Sequence, residues 1–357
     1  MEIQVRFPGL QTTVQDLGRF GYQSLGVPPA GAMDRDALET ANLLVGNARG
    51  EACLECILTG PELECHSALV FSVCGAPMNP CVNGKPVPQY ETICAEAGDI
   101  ISLGAAERGL CTYIAFAGGL AIEQVLHSRS TYTRAGFGGW QGRPFLAGDR
   151  VPLKGQAMGP NDVTVPIRHV PEESLPLYAP EITVRAILSH EAARFEPESI
   201  GRFFSEPFWV SPKSDRMGCR LEGPQLVHNR GADILSAGVQ TGTVQVPGDG
   251  LPIILLVDHQ TTGGYTRIAH VIQADLAKLG QARPGDTIRF GETTVEAAQA
   301  AWKKREKRIV GLVQKKTYPP HNGSDAEAPV GEKRYFNVFV NGSVYDVTVQ
   351  EIGTRYF

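Results

Sequence analysis

Between Ala52 and Leu153 glycine and proline break the chain so often that few stretches are long enough for a helix. What survives between the breaks is short and alternating in character. A strand needs only about five or six residues of that kind, so this stretch predicts a β-rich barrel or sandwich. One turn-into-strand phrase occurs three times, as Gly98-Asp99-Ile100-Ile101, Gly148-Asp149-Arg150-Val151 and Gly285-Asp286-Thr287-Ile288. Its recurrence predicts two β-rich halves with similar closing strands. The halves are expected at residues 1–160 and 181–294, with a proline-rich polar linker at 161–180.

Helices are few. Residues 36–45 place Ala37, Leu38, Ala41, Leu44 and Val45 at helical spacing, with Gly46-Asn47 as a stop. Residues 295–308 form a second candidate ending in Lys303-Lys304-Arg305-Glu306-Lys307-Arg308, a basic terminus that suits the helix dipole and is expected to be solvated. The span 295–332 is assigned as that helix plus a flexible tether. In 333–357 two alternating runs flank Asn341-Gly342, a strong hairpin signal.

The 357 residues carry a net charge of −5, which argues against nucleic acid as a partner. No apolar run approaches the roughly 20 residues that cross a bilayer. The start, Met1-Glu2-Ile3-Gln4-Val5-Arg6, is acidic and strand-like, unlike a signal peptide, so a cytoplasmic protein without a membrane partner is expected. Seven of eight cysteines fall between Cys53 and Cys111. The C-x-x-C at Cys53 and Cys56 lacks a second closely spaced pair, and the other cysteines stand singly. Reduced core thiols are favoured over a metal site. There is no H-E-x-x-H, no G-x-S-x-G and no G-x-x-x-x-G-K-[ST].

The chemistry concentrates elsewhere. Residues 252–257 form an apolar run of strand length, and Asp258-His259-Gln260-Thr261-Thr262-Gly263-Gly264-Tyr265 follows without a gap. In one reading the glycine pair takes backbone angles closed to other residues and aims successive N–H groups at a ligand, beside the threonine hydroxyls. In the other the segment is a strand-to-helix loop whose Thr and Asp cap the next element. Arg216 can grip an anion with two parallel hydrogen bonds, or pair with Asp215 as structure. Asp16, Arg19 and Asp34 read as an ion-pair cluster around the first helix. The loop Arg134-Ala135-Gly136-Phe137-Gly138-Gly139-Trp140-Gln141-Gly142 is glycine-dense but lacks dinucleotide-fingerprint spacing.

Three separated motifs carry a family likeness: Thr12-Thr13-Val14-Gln15-Asp16-Leu17-Gly18-Arg19 with Gly21, Ser214-Asp215-Arg216-Met217-Gly218-Cys219-Arg220-Leu221, and the stretch from Gly242-Thr243-Val244-Gln245-Val246-Pro247 through TTGGY to Arg283-Pro284-Gly285-Asp286. Over residues 1 to about 300 the chain resembles the allophanate hydrolase subunit 2 family, also described as biotin-dependent carboxyltransferase subdomains A and B. The resemblance implies two cyclophilin-like β-barrels, a partner of the allophanate hydrolase subunit 1 type, and a small amide or lactam substrate. It implies ATP as co-substrate in the 5-oxoprolinase branch, or carboxybiotin from a separate carrier in the carboxyltransferase branch.

Under that resemblance Gln260, Thr261, Thr262, Gly263, Gly264 and Arg216 become substrate-binding candidates. Asp258, His259 or Tyr265 would handle a proton, with a plain loop histidine as the alternative for His259. Asp16, Arg19 and Asp34 rise to further substrate-binding candidates. The tail resembles the opening hairpin of a biotinyl carrier domain. No methionine follows Met217, however, so no Met-Lys-Met site and no covalent biotin are expected. That tail points to the carboxylase branch, whereas a chain without an attached carboxylase or amidase points to the 5-oxoprolinase branch, the reading expected here. A non-catalytic regulatory role is the third alternative.

Overall fold

The computed structural model describes residues 1–154, 167–315, 334–340 and 343–349. Most of the expected 161–180 linker is within this set, while residues 155–166 and the tether lie outside it. The chain is mainly β.

The first half is built from two antiparallel sheets. One has the order Arg150–Pro152, Glu2–Phe7, Glu62–Cys65, Ile100–Ser102, Cys81–Val82, Lys85–Pro86; the other runs Gln11–Gln15, Cys53–Ile57, Cys111–Phe116, Leu69–Gly75, Ile93–Ala95. Between them lie Ile3, Val5, Leu63 and Ile101 from the first and Val14, Leu54, Phe71 and Ile114 from the second, none more than 1% exposed. Consecutive strands change sheets at tight corners. At Gly9 (φ +70°) a side chain would meet the Thr59 carbonyl at 2.4 Å, so only glycine fits. Among the described residues the first half is thus a two-sheet sandwich, one of the two architectures the broken pattern allowed, and barrel closure is confined to the second half.

Every residue of Leu69–Gly75 is buried, because the sheet is covered on both faces. Helix α1 (Arg35–Leu44) lays Ala37, Leu38, Ala41 and Leu44 against the outer face, on Val70, Cys74, Tyr113 and Ala115.

The second half closes. Its ladder runs Glu181–Leu188, Thr287–Glu292, Phe208–Val210, Gly218–Glu222, Ile253–Leu255, Thr243–Val246, Thr262–Val271 and back to Glu181–Leu188, a seven-strand barrel with Asp233–Gly238 added at an edge. Only Glu181–Leu188 and Thr287–Glu292 run parallel. Helix α2 (Pro197–Ser205) starts with Pro197 at its first turn and stacks Phe203 on Phe290, ring centres 4.1 Å apart. Helix α3 (Leu276–Leu279) is a single turn.

The repeated phrase has one structure in all three places. Gly98, Gly148 and Gly285 have φ of +92°, +93° and +91°. The following carboxylates, Asp99, Asp149 and Asp286, each accept the backbone N–H three residues upstream at 2.8 Å. The first two occur in the sandwich and the third in the barrel, so the phrase specifies a turn and leaves the surrounding architecture open.

One hydrophobic cluster runs from Leu38 and Tyr113 to Val184, Phe203, Ile254 and Ile309, so both halves share a compact unit, Met1–Lys316. The second unit, Thr317–Phe357, holds the expected hairpin, Arg334–Val340 against Ser343–Val349. Six of the eight cysteines are buried in the folded body; Cys81 is half-buried and Cys94 exposed, and all eight are free thiols.

Helix α4 (Val295–Leu312) corrects the expectation of a solvated basic end. Arg305 is 5% exposed and meets Asp36 and Glu39 of α1, while Arg49 joins Glu39 to Glu306. Carboxylates more than 250 residues upstream draw the cation inward. Removing one partner of a buried ionic group strands the other, so Arg305→Ala is expected to cost about 3 kcal/mol in denaturant unfolding. Arg308→Ala, at a half-exposed pair with Asp36, should cost less than about 1 kcal/mol in the same measurement.

Candidate functional site

The turn at Ser214-Asp215-Arg216 is fixed by the Asp215 carboxylate, which accepts the Met217 N–H at 2.8 Å. Asp215 is thereby engaged locally, and it is not the partner of Arg216. The Arg216 guanidinium instead spans the two halves. Its Nε donates to Asp258 at 2.8 Å, one Nη donates to the Gly31 carbonyl at 2.7 Å, and the other bonds Glu55. Glu55 is fully buried and also accepts the Tyr113 hydroxyl at 2.6 Å and the Met33 N–H at 2.9 Å. Burial alone would pull Arg216 toward losing its proton, but Glu55 and Asp258 outweigh it and hold the group charged. Nearly all its donors are spent inside the chain, so its predicted role as an anion grip gives way to a structural one.

Beside this group opens a cavity of about 420 Å³ lined by Arg216, Asp258, Ser214, Met217, Thr133 and Arg134, with Met33, Leu256 and Leu279 as apolar walls. Arg134 heads the glycine-dense loop. Its Nη1 lies 2.7 Å from the Met217 sulfur, and among the described residues no carboxylate comes within ion-pair reach of it. It is therefore the cation with donors to spare. The sequence singled out its loop but not this side chain; an arginine opening a glycine run was the available signal.

Asp16 and Arg19 support that loop without pairing with each other. Asp16 accepts Ser128 Oγ at 2.7 Å, Ser130 Oγ at 2.5 Å, and the N–H groups of Gly18 and Arg129 at 2.8 and 2.6 Å. Arg19 donates to the Ser130 carbonyl at 2.5 Å and lies 4.8 Å from the Phe137 ring centre, with burial lowering its pKa. The loop then closes down on Thr131: a side chain at Gly139 would come within 1.8 Å of the Thr131 hydroxyl. Asp34 caps α1, accepting the Ala37 N–H at 3.0 Å, and faces a different cavity. The three residues do not form the predicted ion-pair cluster.

The TTGGY segment is neither a nest nor a strand-to-helix loop. Thr262, Gly263, Gly264 and Tyr265 begin the strand Thr262–Val271, with Gly263 opposite Ala237 and Tyr265 opposite Asp233. Neither glycine has a positive φ. They are required for space, since a side chain at 263 would sit 2.4 Å from Gln245 Nε2 and one at 264 would sit 3.2 Å from Ser236 Oγ. Thr261 and Tyr265 face outward, Tyr265 being 43% exposed, and Gln260 donates to Gln245 at 3.2 Å. His259 is sealed. Its Nδ1 lies 2.5 Å from the Gln260 carbonyl and so carries the hydrogen, leaving Nε2 a buried acceptor without a partner. Burial lowers its pKa, so the ring is neutral. Of the predicted set, only Arg216 and Asp258 line the 420 Å³ cavity.

The model of the carboxyltransferase domain, subdomain A and B, matches residues 25–292. The chain is 36% identical over 299 residues to the C-type 5-oxoprolinase subunit of Haemophilus influenzae, covering 83% of this chain and 93% of that protein. The K. lactis urea amidolyase structure superposes with a TM-score of 0.82 at 30% identity, over 89% of this chain but 20% of its own. The Kluyveromyces lactis urea carboxylase structure superposes with a TM-score of 0.81 at 29% identity, over 99% of this chain and 33% of its own. The chain thus spans a third or less of those two structures.

Burial, with a smaller repulsion from Asp36, raises the Asp34 carboxyl to about 7. A carboxyl raised in the folded state contributes stability that is present below its unfolded value of 3.8 and lost as pH rises through about 7. Asp34→Ser keeps a capping oxygen and removes the charge. Thermal unfolding at pH 5 and pH 8 should therefore show a smaller loss of stability on going to pH 8 in Asp34→Ser than in the parent chain.

Proposed function

Because the chain belongs to the carboxyltransferase subdomain A and B family, we propose that it is the C-type subunit of a 5-oxoprolinase-like complex. With a partner of the allophanate hydrolase subunit 1 type and with ATP as co-substrate, the complex opens the lactam of 5-oxoproline. The observation that carries this reading is the 36% identity to a C-type 5-oxoprolinase subunit, 93% of which is covered by the match.

In this reading the lactam enters the cavity beside Arg216. Arg134 binds the substrate carboxylate by charge-assisted hydrogen bonds. Asp258, pinned by Arg216, accepts the lactam N–H and fixes which face of the carbonyl is presented. A carboxylate already balanced by a guanidinium is a poor proton donor, so its work is orientation. ATP activates the carbonyl oxygen, water adds to the carbon, and the C–N bond breaks with a proton delivered to nitrogen from outside this pair. His259 and Tyr265 have no step in this scheme.

A second reading is favoured by the urea carboxylase structure, whose match takes in 99% of the chain. There Arg134 would hold the carboxylate of carboxybiotin from a separate carrier, and Asp258 would accept an N–H of a urea-like nitrogen as CO2 is transferred to it. The deciding experiment is co-expression with a subunit 1-type partner. Glutamate formation from 5-oxoproline that requires ATP supports the first reading, and biotin-dependent carboxylation of urea supports the second. A stable complex with neither activity leaves a regulatory role. For the active complex, Arg134→Gln should raise KM roughly tenfold with little change in kcat, the signature of lost uniform binding; an unchanged KM would remove Arg134 from the substrate's carboxylate.

A further inference from the structure

A second cavity, of about 520 Å³, opens over Asp34 and has none of the Arg216 side chains in its wall. Its apolar walls include Leu177, Ile182, Ala277 and Leu312, and at its buried end the Tyr178 and Tyr90 hydroxyls stand 2.8 Å apart.

The charges around it are unevenly matched. Asp36 is held by Arg305 and Arg308, Glu181 by Arg289 at 2.8 Å, and Lys278 by Asp275 at 3.3 Å. Asp34 is the exception: among the described residues no cation comes within ion-pair reach of it. It is 4% exposed, and its two oxygens accept only the Ala37 N–H at 3.0 Å and the Gln281 Nε2 at 2.7 Å. A carboxylate has about four acceptor sites, so two remain on a buried charge that borders open space. Gln281 cannot turn to supply more, because its carbonyl already accepts the Leu110 and Cys111 N–H groups at 2.8 and 3.0 Å. Burying a charge without a counter-ion is costly, and a cationic guest relieves that cost.

We propose that this cavity is a binding site for a small organic ammonium ion, its charged head on Asp34 beside the tyrosine hydroxyls and its apolar body along Ile182 and Leu177. An ammonium offers three donors, enough for both free carboxylate positions and one phenol oxygen. The site is separate from the lactam cavity and does not depend on the reaction proposed above.

Calorimetric titration of the full chain at pH 8 with n-butylammonium, n-butanol and n-butyrate tests it. Butylammonium should bind roughly tenfold more tightly than butanol, the effect expected of a charge-assisted hydrogen bond, and butyrate should not bind. Asp34→Ser should remove the preference for the ammonium. Thr183→Trp, which fills the cavity from an exposed strand position without touching Asp34, should abolish binding while leaving the melting temperature unchanged. Equal binding of amine and alcohol, or butylammonium binding that survives Thr183→Trp, overturns the proposal.

Discussion

One guanidinium holds the two halves in register. Arg216 comes from the barrel, Glu55 from the sandwich and Asp258 from the barrel again, and the three meet where water is excluded. Any one of these charges alone in that place would be strongly unfavourable, and together they still carry an excess negative charge. The Tyr113 hydroxyl and the Met33 N–H spread that excess over neutral donors. The arrangement demands geometry more than it adds stability: both halves must be folded and docked before the charges are compensated. It also explains why the cavity beside it is preformed, since Asp258 cannot swing away from Arg216 without exposing an unpaired charge.

The same rule recurs at the other side of α1, where Arg305 is drawn into Asp36 and Glu39. There the ionic contact secures the last helix of the folded body. Gln281 performs a neutral version of the task, bonding Asp34, Leu110 and Cys111 with a single amide. Docking of the halves therefore rests on an apolar cluster for area and on a few polar side chains for alignment.

How much of this could be read from the chain follows from how local each signal is. The Gly-Asp turns, the Asn-Gly hairpin and α1 were legible because their causes lie within a few residues, as with the three aspartates that each bond the N–H three positions back. The mainly β architecture followed from the breakers. The site was less legible. Glycine serves either for its backbone angles or for its missing side chain, and the letters at Gly263 and Gly264 are the same in both cases; the structure shows the second. Arg216 and Arg305 were misread because their partners lie 161 and 269 positions away. Arg134 went unremarked because what makes it available is the absence of a nearby carboxylate, a property of three dimensions.

The cysteines have a practical consequence. Burial pushes the Cys56 and Cys219 thiols up to about 12, and Cys74 and Cys111 are also raised well above their ordinary value, so these sulfurs are both hidden and unreactive as long as the body is closed. Cys94 alone stands exposed. The chain thus carries its own tally of intactness: the number of sulfurs open to an alkylating reagent measures how far the sandwich and the barrel have come apart.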